Sequence, residues 1–123
     1  MTRSLITSRW ARRLAASLAV GVVAAFALAV ALEHWGARRM FDLAEEAWNA
    51  GDYRAAAAGL RKLTERHPRH GLAPEALFRL GRAEYLFLGD ANEAVEVLRQ
   101  LVRRPDAGPW ARRAQQQLGE IFE

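Results

Sequence analysis

Cysteine is absent from all 123 residues. That excludes a disulfide framework, zinc sites of the cysteine type, thiol catalysis and an N-terminal lipidated cysteine. Other chemistry is missing as well: there is no glycine-rich phosphate loop, no serine close in sequence to a histidine, and no pair of carboxylates in an apolar stretch. His67 and His70 are the only metal candidates, and Pro68 between them keeps them off a common helix face. They read as turn histidines. No catalytic residue, cofactor or metal is expected, and the chain reads as a non-enzyme.

An excess of acidic charge is also lacking. The formal charge is +4 and the pI about 10.6. A basic protein invites a nucleic-acid reading, but the distribution of charge argues against it. Arg3, Arg9, Arg12 and Arg13 stand together near the N-terminus with no acidic residue among them, whereas residues 33–123 hold 14 basic and 14 acidic side chains. The surplus belongs to the N-terminal flank, and the remainder has no net field with which to hold a polyanion.

Behind those arginines, Leu14 to Leu32 is a run of 19 residues without a charge. As a helix it would span about 29 Å, the thickness of a bilayer's hydrocarbon core. Its nine Leu, Val and Phe residues favour insertion by about 3–5 kcal/mol in all. Trp10 and Trp35 flank the run, where amphipathic rings prefer the headgroup level. Four arginines before the run, against Arg38 and Arg39 after it, favour a cytoplasmic N-terminus and an outward C-terminal part, which in a bacterium means a single pass through the inner membrane with the rest in the periplasm. A cleaved signal peptide is the competing reading, given the basic start and the small-residue site Ala27-Leu28-Ala29. The length of the run exceeds the usual apolar core of such a peptide, about 7–15 residues. Within the run, Ser17, Gly21, Ala25 and Ala29 recur every four residues, so they form a ridge on which another membrane helix, or a copy of this one, can approach closely. With eight alanines in the run, such a ridge also arises from composition alone.

From Ala37 onward, apolar residues recur at helical spacing, with no strand-like alternation. The expected divisions are a basic N-terminus (1–13), the membrane helix (14–32), a linker (33–36) and an all-α domain (37–123), itself split into 37–70, 71–108 and 109–123. The first helix, from about Ala37 to Ala50, carries Met40, Leu43, Ala44 and Ala47 on one stripe. Gly51-Asp52 ends it and Asp52 caps the next, which buries Tyr53, Ala56, Leu60 and Leu63 before Pro68. A third helix opens near Pro74 and runs to about Leu88. Gly89-Asp90 then repeats the turn, Asp90 and Glu93 have capping-box spacing, and a fourth helix buries Ala94, Val97, Leu98 and Leu101. A last helix from Pro109 repeats the first half of the unit and looks like a polar cap. The pairs Gly51/Gly89, Asp52/Asp90, Ala56/Ala94, Leu60/Leu98, Leu63/Leu101, Leu80/Leu118 and Gly81/Gly119 all share an offset of 38. A two-helix unit recurring at such a period is the signature of an α-solenoid, here of about two and a half repeats.

Leu80-Gly81, Gly51-Asp52-Tyr53, Ala56, Leu60 and Pro68 resemble the packing positions of the tetratricopeptide repeat, and the stretch Pro74 to Gly81 looks most like periplasmic members tied to envelope assembly and the Tol-Pal system. The unit exceeds that family's period of about 34 by one residue before Gly89 and by a longer loop, His67 to Ala73. The resemblance implies a helical solenoid that binds other proteins, with the first helix of each pair lining a groove. On those helices Phe41, Glu45 and Trp48 are matched by Phe78, Arg82 and Tyr85, an aromatic, charged, aromatic order that suits a partner peptide. The same aromatics could instead close the core of a small domain. A membrane-anchored scaffold or accessory subunit of a membrane complex is the expected function. A chaperone-like assembly factor that holds client peptides in the aromatic groove is the alternative, and a homo-oligomeric structural protein a third.

Overall fold

In the computed structural model the backbone is described for residues 2–123 and side chains for residues 8–123, so the side chain of Arg3 lies outside the described residues. All secondary structure among them is helical: α1 (Thr2–Asn49), α2 (Tyr53–Arg66), α3 (Ala73–Leu86), α4 (Ala91–Arg103) and α5 (Pro109–Phe122). The chain divides between His34 and Trp35 into two units.

Among the described residues the first unit is helical, and its large apolar side chains are exposed. Val20, Val22, Val23 and Phe26 are each about two-thirds exposed. The helix is long and apolar enough to cross a membrane.

No break separates this stretch from the next helix, since α1 continues through residues 33–36, where a linker was expected. Nothing there stops a helix. Gly36 alone costs about 1 kcal/mol, whereas two new helix ends would leave several N–H and C=O groups without partners.

In the second unit α3 is central, packing against α2, α4 and α5, and α4 also packs on α5. Leu60, Leu63, Leu80, Leu98 and Leu101 are the largest fully buried side chains. Close approach relies on small residues. A Cβ added to Gly59 would lie 3.3 Å from Ala44 Cβ, and one on Gly81 only 2.7 Å from Leu98 Cδ2. Gly119, equivalent to Gly81 by the offset of 38, faces open space.

The repeated turns are built alike. Gly51 and Gly89 have φ of 78° and 70°, in the left-handed region where a side chain is strained. Asp52 and Asp90 each accept a hydrogen bond from the N–H three residues on, Ala55 at 3.1 Å and Glu93 at 3.0 Å. The reciprocal half of the expected capping box is not made, because the Glu93 carboxylate instead accepts from Arg61 Nη1 at 2.7 Å. The extra residue of the second unit sits in its turn. Asp52 N–H donates to the Ala47 carbonyl, five residues back, but Asp90 N–H donates to that of Glu84, six back. The offset is therefore 37 before the turn and 38 after it.

The apolar phase of α1 differs from the expected stripe. Ala37, Phe41 and Ala44 are buried, while Leu43 is 50% exposed. Both phases contain Ala44 and both are apolar, so docking against α2 and α3 decides between them. Tyr53 is half-buried rather than buried, stacked flat on Phe87 at 3.7 Å.

Two ionic clusters tie helices together. Arg61 on α2 bridges buried Glu84 on α3 at 3.0 Å and Glu93 on α4 at 2.7 Å, and these contacts, the Glu93 hydrogen bond foremost, raise its pKa. Arg104, after α4, donates to the Pro68 carbonyl and to Asp106, which joins the loops α2–α3 and α4–α5. The hydrogen bond from Arg104 holds the Asp106 carboxyl below its ordinary 3.8.

Candidate functional site

A concavity of about 460 Å³ opens between the C-terminal turns of α1, the middle of α3 and the first turns of α5. Trp48, Phe78 and Trp110 supply its aromatic surface, and Glu45, Glu75, Arg79, Arg82 and Arg113 its charge. A second depression of about 370 Å³ adjoins it, sharing Phe78, Arg82 and Arg113 and adding Gln116, Gln117 and Glu120.

The aromatic side chains are held in place from behind. Trp48 meets Tyr53 and Phe87 edge-on, each at 5.4 Å between centroids. The Phe78 ring lies 5.5 Å from that of Trp110, which links α3 to α5. Rings fixed in this way lose little freedom when a partner lands on them, which favours their use as anchors.

The charged groups fall into two sets. Arg79 donates to Glu45 and to Glu75, each at 3.1 Å, and its guanidinium lies 5.0 Å over the Phe41 ring. Arg82 and Arg113 have no carboxylate at ion-pairing distance among the described residues; they rest on aromatic faces, Arg82 over Phe78 at 5.9 Å and Arg113 over Trp110 at 4.6 Å.

A tetratricopeptide repeat family model matches residues 75–107.

No curated protein matches the chain. The matched segment covers most of α3, the Gly89-Asp90 turn and all of α4. Tetratricopeptide repeats are modules for protein–protein interaction, and stacked helix pairs of this kind create the concave surfaces on which they bind.

Of the six side chains expected in the groove, Glu45, Trp48, Phe78 and Arg82 line this concavity. Phe41 does not. It is 4% exposed and belongs to the core. Phe41 and Phe78 are equivalent by the offset of 37, but Phe41 is buried with the Arg79 guanidinium over its ring, whereas Phe78 is only partly buried beside Trp110. Tyr85 is half-buried and lies outside the lining.

Trp110 and Arg113 were expected on a polar cap, yet they form one wall of the concavity. The signal for them was present in the chain. If α5 repeats the first half of the unit, the rule that puts first helices along the groove applies to it too, although by the offset of 38 Trp110 and Arg113 correspond to Leu72 and Glu75 and not to Phe78 and Arg82.

On α1, Ser17, Gly21, Ala25 and Ala29 are exposed, and nothing lies within 4 Å of a Cβ placed on Gly21. Of the two turn histidines, His70 is part of a local cap, its Nδ1 accepting from the Leu72 N–H at 3.0 Å.

Proposed function

We propose that this chain is a membrane-anchored interaction subunit. In this reading α1 holds it in the bilayer, and the concavity walled by α1, α3 and α5 receives a segment of another protein of the same membrane complex. The observation that carries the reading is the concavity itself: three aromatic rings, each buttressed by a neighbour, around an opening large enough for several side chains of an extended or helical peptide. The tetratricopeptide match supports it, as does an N-terminal helix of spanning length. The basic flank argues for an inner-membrane topology with the helical domain outside the cytoplasm.

Purification of the full chain in mild detergent, followed by mass spectrometry, tests the subunit reading. Defined stoichiometric partners are expected, and they should be lost on Phe78→Ala with Trp110→Ala while the circular dichroism of the domain persists. A monomer recovered alone in several mild detergents would speak against it.

A further inference from the structure

The charged lining of the groove is unevenly satisfied, and that imbalance identifies the chemistry of an occupant. Glu45 and Glu75 share Arg79, each accepting from one of its Nη atoms, so this trio is internally paired and carries at most one net negative charge. Arg82 and Arg113 are different. Each lies against one ring of the Phe78–Trp110 pair, and the two rings are 5.5 Å apart, so the guanidinia flank one apolar seat. Neither has an ion-pair partner among the described residues, and both border the main concavity and the adjoining depression. A guanidinium held over a ring by cation–π attraction spends none of its N–H groups on that contact, so they can meet a carboxylate with two parallel hydrogen bonds. Glu120 lines the adjoining depression together with Phe78, Arg82 and Arg113 but is not ion-paired to either arginine, and it does not line the main concavity.

We infer that the groove takes an acidic peptide segment, with an aspartate or glutamate held between Arg82 and Arg113 and a neighbouring apolar side chain on the Phe78–Trp110 pair. This rests on the groove being a peptide site. A free phosphate or a nucleic acid would use the cations but not the aromatic seat, and residues 33–123 have no net charge to concentrate a polyanion.

The test uses the full chain in zwitterionic phosphatidylcholine nanodiscs and three fluorescein-labelled nonapeptides of one pattern, in which leucine and tyrosine alternate with glutamate, glutamine or lysine. The glutamate peptide is expected to bind at least about tenfold more tightly than the glutamine peptide, the lysine peptide most weakly, and the differences should shrink as salt rises. Arg82→Gln with Arg113→Gln should remove the preference, so that the glutamate peptide binds no more tightly than the glutamine peptide. Arg54→Gln, which deletes an exposed charge on α2, should change nothing. Equal binding of the glutamate and glutamine peptides, or a preference that survives in the double variant, overturns the inference while the groove stands. If no peptide binds, the groove reading itself falls. If the two arginines instead drive only retention on phosphatidylglycerol vesicles, their ligand is a lipid headgroup and the inference is wrong.

Discussion

At the scale of single residues, the two glycines separated by the repeat offset offer a direct comparison. Gly81 and Gly119 sit at equivalent positions of α3 and α5, yet a Cβ meets Leu98 Cδ2 at 2.7 Å and Cγ at 2.8 Å on the first, and nothing on the second. Leu98 is fully buried, so its side chain must shift within the packed core to admit the added methyl group. Gly81→Ala should therefore destabilise the domain by about 1–3 kcal/mol through overpacking, while Gly119→Ala should leave it unchanged or stabilise it by up to about 1 kcal/mol through helix propensity. Thermal melts of the full chain in detergent would show the two variants moving in different directions. Phe41 and Phe78 form a second pair of this kind. Phe41→Ala removes a buried ring and should cost about 3–5 kcal/mol of stability, whereas Phe78→Ala should cost less in stability and more in partner binding. Arg61 is a third case. Its loss strands the Glu84 carboxylate, 10% exposed on α3, so Arg61→Ala should cost about 1–3 kcal/mol. The same substitution should cost clearly less in a Glu84→Gln background, a double-mutant cycle that isolates the pair.

At the scale of elements, the turns are the parts most readable in the sequence. Glycine at a left-handed position followed by aspartate has one good structural use, to end one helix and cap the next, and the two such turns take the same form. Asp52→Ala and Asp90→Ala should each lower stability by about 1 kcal/mol, measurable in urea as a lower midpoint at unchanged slope. The loop clamp of Arg104 and Asp106 should add little. Because the folded carboxyl titrates below its ordinary 3.8, its contribution is complete at neutral pH and fades only as pH falls below that value. The phase of α1 was much less readable. Stripes through Leu43 and through Phe41 are both apolar and both include Ala44, and only packing against the rest of the domain, Gly59 of α2 on Ala44 and Arg79 of α3 over Phe41 among it, places Phe41 inside and Leu43 outside. The Arg61 cluster was equally invisible, since its members are 23 and 32 residues apart in the chain and no local pattern joins them. The groove was legible in part, as the rule about first helices found Trp48 and Phe78. Applied only to complete pairs, that rule passed over Trp110 and Arg113.

At the scale of the whole molecule, the proposals about location depend on the first 32 residues and those about binding on the last 89. A chain without cysteine allows the two to be tested together, since a single introduced thiol is the only one a maleimide can find. Gln116→Cys places a thiol on the exposed side of α5, and Ser8→Cys places one just before the apolar run. With four arginines ahead of that run holding the N-terminus in the cytoplasm, a membrane-impermeant maleimide added to intact spheroplasts should label Gln116→Cys and leave Ser8→Cys untouched until the membrane is opened. The inverted topology would give the opposite pattern. A cleaved signal peptide would give a third, in which the mature chain carries the thiol of Gln116→Cys but never that of Ser8→Cys, and sediments without the membrane. That outcome would separate the groove from its anchor. It would leave the affinity for an acidic segment intact, but it would remove the reason to place the protein among the subunits of a membrane complex, because a released domain could meet its partner anywhere in the compartment.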